Sequence, residues 1–177
     1  MFLCRVICIC YLRNASAQKA NSGNNFKLTD QDRINYILTA DQKTLAHFPD
    51  VVWNKKKYSE LSIVITLANN ANDTLKYYSM RCSWEDNYVI DNKLIGIKGH
   101  NCDSNFPFAV SIPPHKIAAV NLRLIFEKNS LRKQNKLKIG MYLLKYIHNN
   151  YNHYEDHIFH RNKGSENIIW SNSVSIP

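Results

Sequence analysis

The chain has 177 residues, a formal charge of +9 and 45% apolar residues, which is enough for one domain with a substantial core and short for two. Its five glycines form neither a phosphate-binding loop nor a dinucleotide-binding fingerprint, and no Gly-x-Ser-x-Gly motif occurs. These absences remove the usual sequence signatures of nucleotide enzymes and serine hydrolases.

The first 17 residues have the three parts of an export signal. Arg5 supplies a positive charge, residues 6–12 are apolar, and Ala15-Ser16-Ala17 matches a cleavage site. The apolar run is too short for a transmembrane anchor, which needs about 20 residues. We therefore predict that residues 1–17 are a cleaved signal peptide and that the mature protein is periplasmic or extracellular. Its positive charge then suits an anionic glycan or membrane surface, and we do not expect a nucleic acid partner.

Removal of the signal would leave two of the five cysteines, Cys82 and Cys102. In an oxidising compartment these two residues are candidates for a disulfide. The alternative is a metal or redox pair, but no His or Met closely follows Cys102, as a copper loop would require. A lipid-bearing Cys8 or Cys10 is the alternative to cleavage.

The remaining chain is predicted to be a flexible leader over residues 18–27 and a single domain over residues 28–177. Near the start of the domain, Thr29-Asp30-Gln31-Asp32 has the pattern of a helix cap, whereas the apolar residues after it alternate as in a strand. We predict a strand at about 33–39 and a turn at 47–50.

From residue 60 onward, five segments show the two-residue alternation of half-buried strands. They begin near residues 60, 74, 115, 137 and 168, and Asn, Gly and Pro turns separate them. The inward residues are predicted to be Leu61, Ile63, Ile65 and Leu67; Tyr78, Met80, Cys82 and Trp84; Ala118, Val120, Leu122, Leu124 and Phe126; Leu137, Ile139, Met141 and Leu143; and Ile168, Trp170, Val174 and Ile176. This pattern predicts an all-β antiparallel sandwich of about seven to nine strands.

Four segments resemble bacterial exported immunoglobulin-like domains. They are Leu-Ser-Ile-Val-Ile-Thr-Leu-Ala-Asn-Asn at 61–70, Asp-Thr-Leu at 73–75, Ile-Pro-Pro-His-Lys at 112–116 and Leu-Lys-Ile-Gly-Met-Tyr at 137–142. The resemblance implies an immunoglobulin-like fold and an exported protein, and it carries no functional residues. Cys82 and Cys102 are too close in sequence to be the inter-sheet pair of antibody domains.

Two groups of side chains are candidates for a site. Aromatic rings on a sheet face or rim stack on sugars or anchor protein partners. The ligand-contact candidates are Tyr77, Tyr142, Tyr146, Tyr151 and Tyr154. The second group is a His-rich segment whose imidazoles suit zinc, copper or nickel if they converge. It consists of His148, His153, His157 and His160.

We therefore expect an exported, non-enzymatic domain that binds a protein or glycan partner at the cell envelope without a cofactor. The alternatives are a metal-dependent hydrolase or metal-binding protein that uses residues 148–160, and a structural accessory subunit. Convergence of the histidines would favour the first alternative, and an exposed edge strand or apolar patch the second.

Overall fold

The computed structural model describes residues 27–53, 55–99, 106–128, 130, 135–145 and 163–176. This part of the chain is mostly antiparallel β-strand, with a short helix α1 (Asp30–Asn35) and 3₁₀ helices over Trp84–Asn87 and Ser165–Asn167. The strands are β1 (Tyr36–Trp53), β2 (Lys56–Asn69), β3 (Leu75–Met80), β4 (Tyr88–Ile90), β5 (Ile95–Ile97), β6 (Pro107–Ile112), β7 (Lys116–Glu127), β8 (Asn135–Leu137), β9 (Ile139–Tyr142), β10 (Ile168–Trp170) and β11 (Val174–Ile176). No described helix has the length and apolar character that crossing a bilayer requires. The predicted signal and most of the leader lie outside the described residues.

The largest sheet has the strand order β1-β2-β7-β5. Its central pair confirms the alternation predicted for β2 and β7, since Leu61 lies opposite Leu124 and Ile63 opposite Leu122, all with 0% of their surface exposed. The chain leaves this sheet after β2, returns briefly to form β5 and then returns again as β7, so β2 and its neighbour β7 are far apart in sequence. Long-range pairing of this kind fixes the register because a slip of one residue would expose the core face.

Smaller sheets contribute the other part of the core. Their orders are β10-β9-β4, β11-β8 and β3-β6, and a bridge between Tyr77 and Lys145 connects β3 to the chain beyond β9. Leu137, Ile139 and Met141 are buried in the same cluster as the β2 and β7 residues, as their alternation predicted.

The described chain has eleven strands, more than the seven to nine predicted: β4, β5 and β6 lie where no strand segment was predicted, and irregularities divide two of the predicted segments. Lys138 separates β8 from β9, and the pairing with β10 and β11 shifts by one residue there. Trp170 is 42% exposed, so the prediction that it points inward is wrong.

Gly140 explains how β9 pairs closely on both sides. A Cβ atom at this position would lie 2.6 Å from Ile168 and 2.9 Å from Val89, the side chains of the two flanking strands. Such contacts are shorter than the packing of real side chains allows, so any larger residue would push a neighbouring strand away.

The predicted strand at 33–39 is partly wrong, because residues 30–35 form α1 and β1 begins at Tyr36. A capping box begins the helix: the Asp32 backbone N–H donates to the Thr29 hydroxyl at 3.1 Å, and the Thr29 N–H donates to the Asp32 carboxylate at 2.9 Å. Arg33 then donates to the carbonyl oxygens of Ile168 and Glu166 at 2.8 and 2.7 Å. These tertiary bonds hold the short helix in place.

The predicted turn at 47–50 is also wrong, because β1 continues to Trp53. The strand accommodates the sequence through register shifts between Asp41 and Ala46 and between Phe48 and Val51. Pro49 lies within the second shift, and β1 is the outer strand of its sheet, where a residue without an N–H group is tolerated.

Side-chain amides join the outer edge of β1 to the end of the chain. The Ala40 N–H donates to Asn172 Oδ1 at 2.8 Å, and Asn172 Nδ2 donates to the Ala40 carbonyl at 3.0 Å. Gln42 and the backbone of Ser175 make a second reciprocal pair at 2.9 and 2.7 Å. These amides take the place of a neighbouring strand and fix β10 and β11 against the large sheet.

The Asn172→Ala variant should lose about 1–2 kcal/mol of unfolding free energy, because it leaves both backbone groups of buried Ala40 without their partner. Urea denaturation followed by circular dichroism would measure the loss. The matched control is Asn121→Ala, at an exposed position on β7, for which we expect almost no change. Equal losses in the two variants would contradict the bridging role of Asn172.

Candidate functional site

A cavity of about 290 Å³ opens beside β3, and we call it the aromatic pocket. Its rings come from Tyr77, Trp84, Tyr88 and Phe108. The other apolar side chains of its wall are Met80, Val110, Ala118, Val120 and Met141. A concave, mainly apolar surface with few polar groups is the usual form of a binding site.

A hydrogen-bonded asparagine positions the rings. Asn87 ends the 3₁₀ helix and is 1% exposed; its Nδ2 donates to the Tyr78 carbonyl at 2.8 Å, and its Oδ1 accepts from the Ser79 hydroxyl at 3.2 Å. The helix is therefore fixed against β3. Trp84 at its start and Tyr88 after its end meet edge to face, with ring centroids 6.0 Å apart, a geometry that aromatic rings prefer.

A more polar cleft of about 460 Å³ lies on the other side of Tyr88, which lines both cavities. Asp86, Tyr142 and Lys163 contribute to the cleft. The Lys163 ammonium lies 5.7 Å from the centroid of the Tyr142 ring. Burial lowers the pKa of Lys163, and the nearby carboxylate of Asp86 partly opposes this shift.

The predicted tyrosines have different positions. Tyr77 is only 7% exposed, so its placement on an open surface is wrong; it contacts the core and forms one wall of the aromatic pocket. Tyr78, predicted to be buried, is half-buried beside Met80 and Leu144. Tyr142 is half-buried in the polar cleft. Tyr146, Tyr151 and Tyr154 lie outside the described residues.

The predicted metal and disulfide residues are not tested by the described part of the chain. His148, His153, His157 and His160 lie outside it, as does Cys102, the proposed partner of Cys82. Within the described ranges, no group of three or more His, Cys, Asp or Glu side chains is arranged to hold a metal ion.

A separate ionic cluster braces the outer face of the large sheet. The Glu60 carboxylate is 3% exposed and lies 2.6 Å from Lys98 Nζ and 3.1 Å from Arg123 Nη1. The Arg123 guanidinium also lies 4.5 Å from the centroid of the Phe48 ring. These contacts join β1, β2, β7 and the residue that follows β5 around one buried charge, which indicates a structural role.

Sequence reasoning missed the ring set of the aromatic pocket. Trp84 was expected to continue the strand that contains Tyr78, but β3 ends at Met80 and a 3₁₀ helix follows. Strand alternation therefore does not apply at Trp84 or Tyr88. The density of aromatic residues between 77 and 88 is a usable signal for a cluster, although it does not give the direction of each ring.

No known protein-family model matches the chain, and no curated protein sequence matches it. The function must therefore be inferred from the chemistry of the surfaces themselves.

The buried tyrosines should make the domain sensitive to alkali. Burial raises the pKa of Tyr77 to about 12, from an ordinary value of 10.0. Because its pKa is higher in the folded state, the stabilisation is present below pH 10 and is lost as the pH rises to about 12. Between pH 9 and 12, Tyr77→Phe should lose about 2 kcal/mol less unfolding free energy than the wild type.

Denaturant titrations of both proteins at a series of pH values would measure this difference. Burial also raises the pKa of Tyr88, which remains in both proteins; the charge of ionised Tyr77 raises it further only in the wild type, which adds to the expected difference. Identical pH profiles for the two proteins would contradict the assignment.

Proposed function

We propose that the chain is an exported, non-enzymatic immunoglobulin-like β-sandwich domain that binds a protein partner at the cell envelope. The partner inserts an apolar side chain into the aromatic pocket. The observation that carries the proposal is a cavity walled by four rings, two of which lie at the ends of the 3₁₀ helix that Asn87 fixes against β3.

The size of the pocket suits a single anchoring side chain. Its volume of about 290 Å³ is at the lower limit of the range for small-molecule sites, which is about 300–1,000 Å³. Protein interfaces often depend on a few such anchors, and the surrounding contacts mainly exclude water.

The residues at the rim of the pocket favour a protein partner over a glycan partner. Arg81 lines the pocket, and its guanidinium lies 5.1 Å from the centroid of the Phe106 ring. Phe106 and Phe108 are 44% and 38% exposed. Arginine and aromatic residues are enriched in protein interfaces. A glycan site would need an open ring face, whereas Lys163 covers one face of Tyr142 in the neighbouring cleft.

The shared core supports the sandwich part of the proposal. Ile63 on β2 of the large sheet and Ile139 on β9 of a smaller sheet belong to one apolar cluster. The chain crosses between the large sheet and the smaller sheets at the connections β2–β3, β4–β5, β5–β6, β6–β7 and β7–β8. Two antiparallel layers with such crossings are the arrangement found in immunoglobulin-like domains.

A variant that fills the pocket should abolish anchoring. Ala118 is half-buried and lines the pocket, whereas the next residue on β7, Ala119, is exposed. Peptides selected from a random display library against the wild-type domain should carry an apolar anchor, lose binding to Ala118→Phe and retain binding to Ala119→Phe. Calorimetry with the synthetic peptides would measure the affinities.

A second variant tests the pocket without the risk that a larger side chain, as in Ala118→Phe, overpacks the core. Phe108→Ala removes a partly exposed ring and should weaken peptide binding about tenfold or more. Phe48→Ala is the matched control, since Phe48 is 37% exposed and lies on β1, away from the pocket. Selected peptides that bind all four variants equally well would contradict the proposal, and so would binding to a glycan array that depends on Phe108.

Export predicts a disulfide between Cys82 and Cys102 in the mature protein. The bond would close a loop of about 20 residues, worth about 3 kcal/mol in the chain-entropy model. Non-reducing peptide mapping by mass spectrometry should find these cysteines in one linked fragment. Detection of two free thiols in protein isolated from the native host would contradict the predicted bond.

A further inference from the structure

One end of the large sheet combines exposed aliphatic residues with a surplus of positive charge. At this end β1 and β7 finish and β2 and β5 begin, since Trp53 pairs with Lys56, Tyr58 with Glu127, and Ile95 with Phe126. We call it the basic end. Its exposed apolar and cationic residues are Val51, Val52, Lys55, Lys56, Lys57, Lys93, Leu94 and Lys128.

Ion pairs neutralise only part of the charge. Glu127 pairs with Lys56 at 2.9 Å, and Asp50 pairs with both Lys57 at 3.2 Å and Lys128 at 2.5 Å. The described residues contain no ion-pair partner for the two other lysines of the basic end, at positions 55 and 93. In the described ion pairs, two carboxylates thus contact three of the five lysines of the basic end.

The hairpin turn holds one of these charges at a conformational cost. Lys55 has a φ angle of 63°, a left-handed conformation that favours glycine or asparagine. The turn therefore carries a lysine at a position where an uncharged residue would fit the backbone better.

The aliphatic side chains of the basic end are unusually open to water. Val52 is 69% exposed, Leu94 is 54% exposed and Val51 is 41% exposed. They lie on β1 and before β5, which β2 and β7 separate, so Lys56, Lys57 and Lys128 lie between them. Scattered aliphatic residues with lysines between them match a surface that offers negative charge above an apolar phase.

We propose that the basic end docks on a lipid bilayer that contains anionic phospholipids. The lysines contact the headgroups, and Val52 and Leu94 enter the interface between headgroups and acyl chains. A bilayer is favoured over a soluble polyanion because aliphatic side chains add no affinity for phosphate or sugar groups. A fluid interface also accepts separated aliphatic residues without a shaped groove.

Vesicle co-sedimentation of the folded domain tests this proposal. The wild type should bind vesicles of phosphatidylcholine mixed with phosphatidylglycerol and bind weakly to phosphatidylcholine alone. The Lys55→Asn and Lys93→Gln double variant should lose roughly 30-fold in affinity, because each lysine near an anionic surface contributes about fivefold. The Val52→Ser and Leu94→Ser double variant should lose at least about tenfold.

Matched controls come from exposed residues outside the basic end. Lys116 and Ile117 begin β7 at the opposite end of the large sheet, and Ile117 is 67% exposed; Lys76 lies on β3 in another sheet. The Lys76→Gln and Lys116→Gln double variant has the same net charge as the test variant, and Ile117→Ser removes a comparable aliphatic residue. Both controls should bind anionic vesicles like the wild type.

Three results would overturn the proposal. The first is equal binding to vesicles with and without anionic lipid, and the second is equal loss in the test and control variants. The third is binding to heparin as tight as to vesicles, with no effect of the Val52 and Leu94 substitutions, which would identify a site for a soluble polyanion. Circular dichroism of each variant would establish that it is folded before binding is measured.

Discussion

The fold depends on the burial of one face of β2 between two long neighbours. Leu61, Ile63, Ile65 and Leu67 each have 4% or less of their surface exposed, while β1 and β7 complete the backbone hydrogen bonds on both edges. A shift of one residue would bring Glu60 toward the core and move its charge away from the lysine and arginine that compensate it. The strong alternation of apolar and polar residues in β2 therefore sets the register of the large sheet. The other strands pack against this sheet.

The smaller sheets depend on polar clamps, because strands of three to six residues have little stability alone. Asparagine amides supply many of these clamps. Asn69 is 0% exposed and donates to the carbonyls of Asp73, Ile112 and Pro113 at 2.8, 2.9 and 3.1 Å. Asn87 and Asn172 act similarly at the 3₁₀ helix and the edge of β1. Asparagines of this chain thus form bonds between segments as well as turns.

The two proposed surfaces lie at different positions along β7. Ala118, in the aromatic pocket, is ten residues before Lys128 at the basic end, which corresponds to about 30 Å along an extended strand. If both proposals hold, a domain attached to anionic lipid through its basic end would hold the pocket about 30 Å further along β7. The aromatic pocket requires a shaped apolar group, whereas the basic end requires only negative charge over an apolar phase, so the two surfaces select different partners.

The sequence by itself determined the antiparallel β class and the buried faces of β2, β7 and residues 137–143. Alternation of apolar and polar residues marks one face of a strand for burial, whichever strand pairs with it. It also contained the Thr29 and Asp32 helix cap, but not the bonds from Arg33 that make this cap prevail over the alternation that follows. Tertiary structure decided that Tyr77 is buried, that Trp84 leaves the strand, and that Val52 and Leu94 share one end with the lysines. These outcomes depend on which segments meet in space, and local patterns carry no information about contacts between residues far apart in sequence.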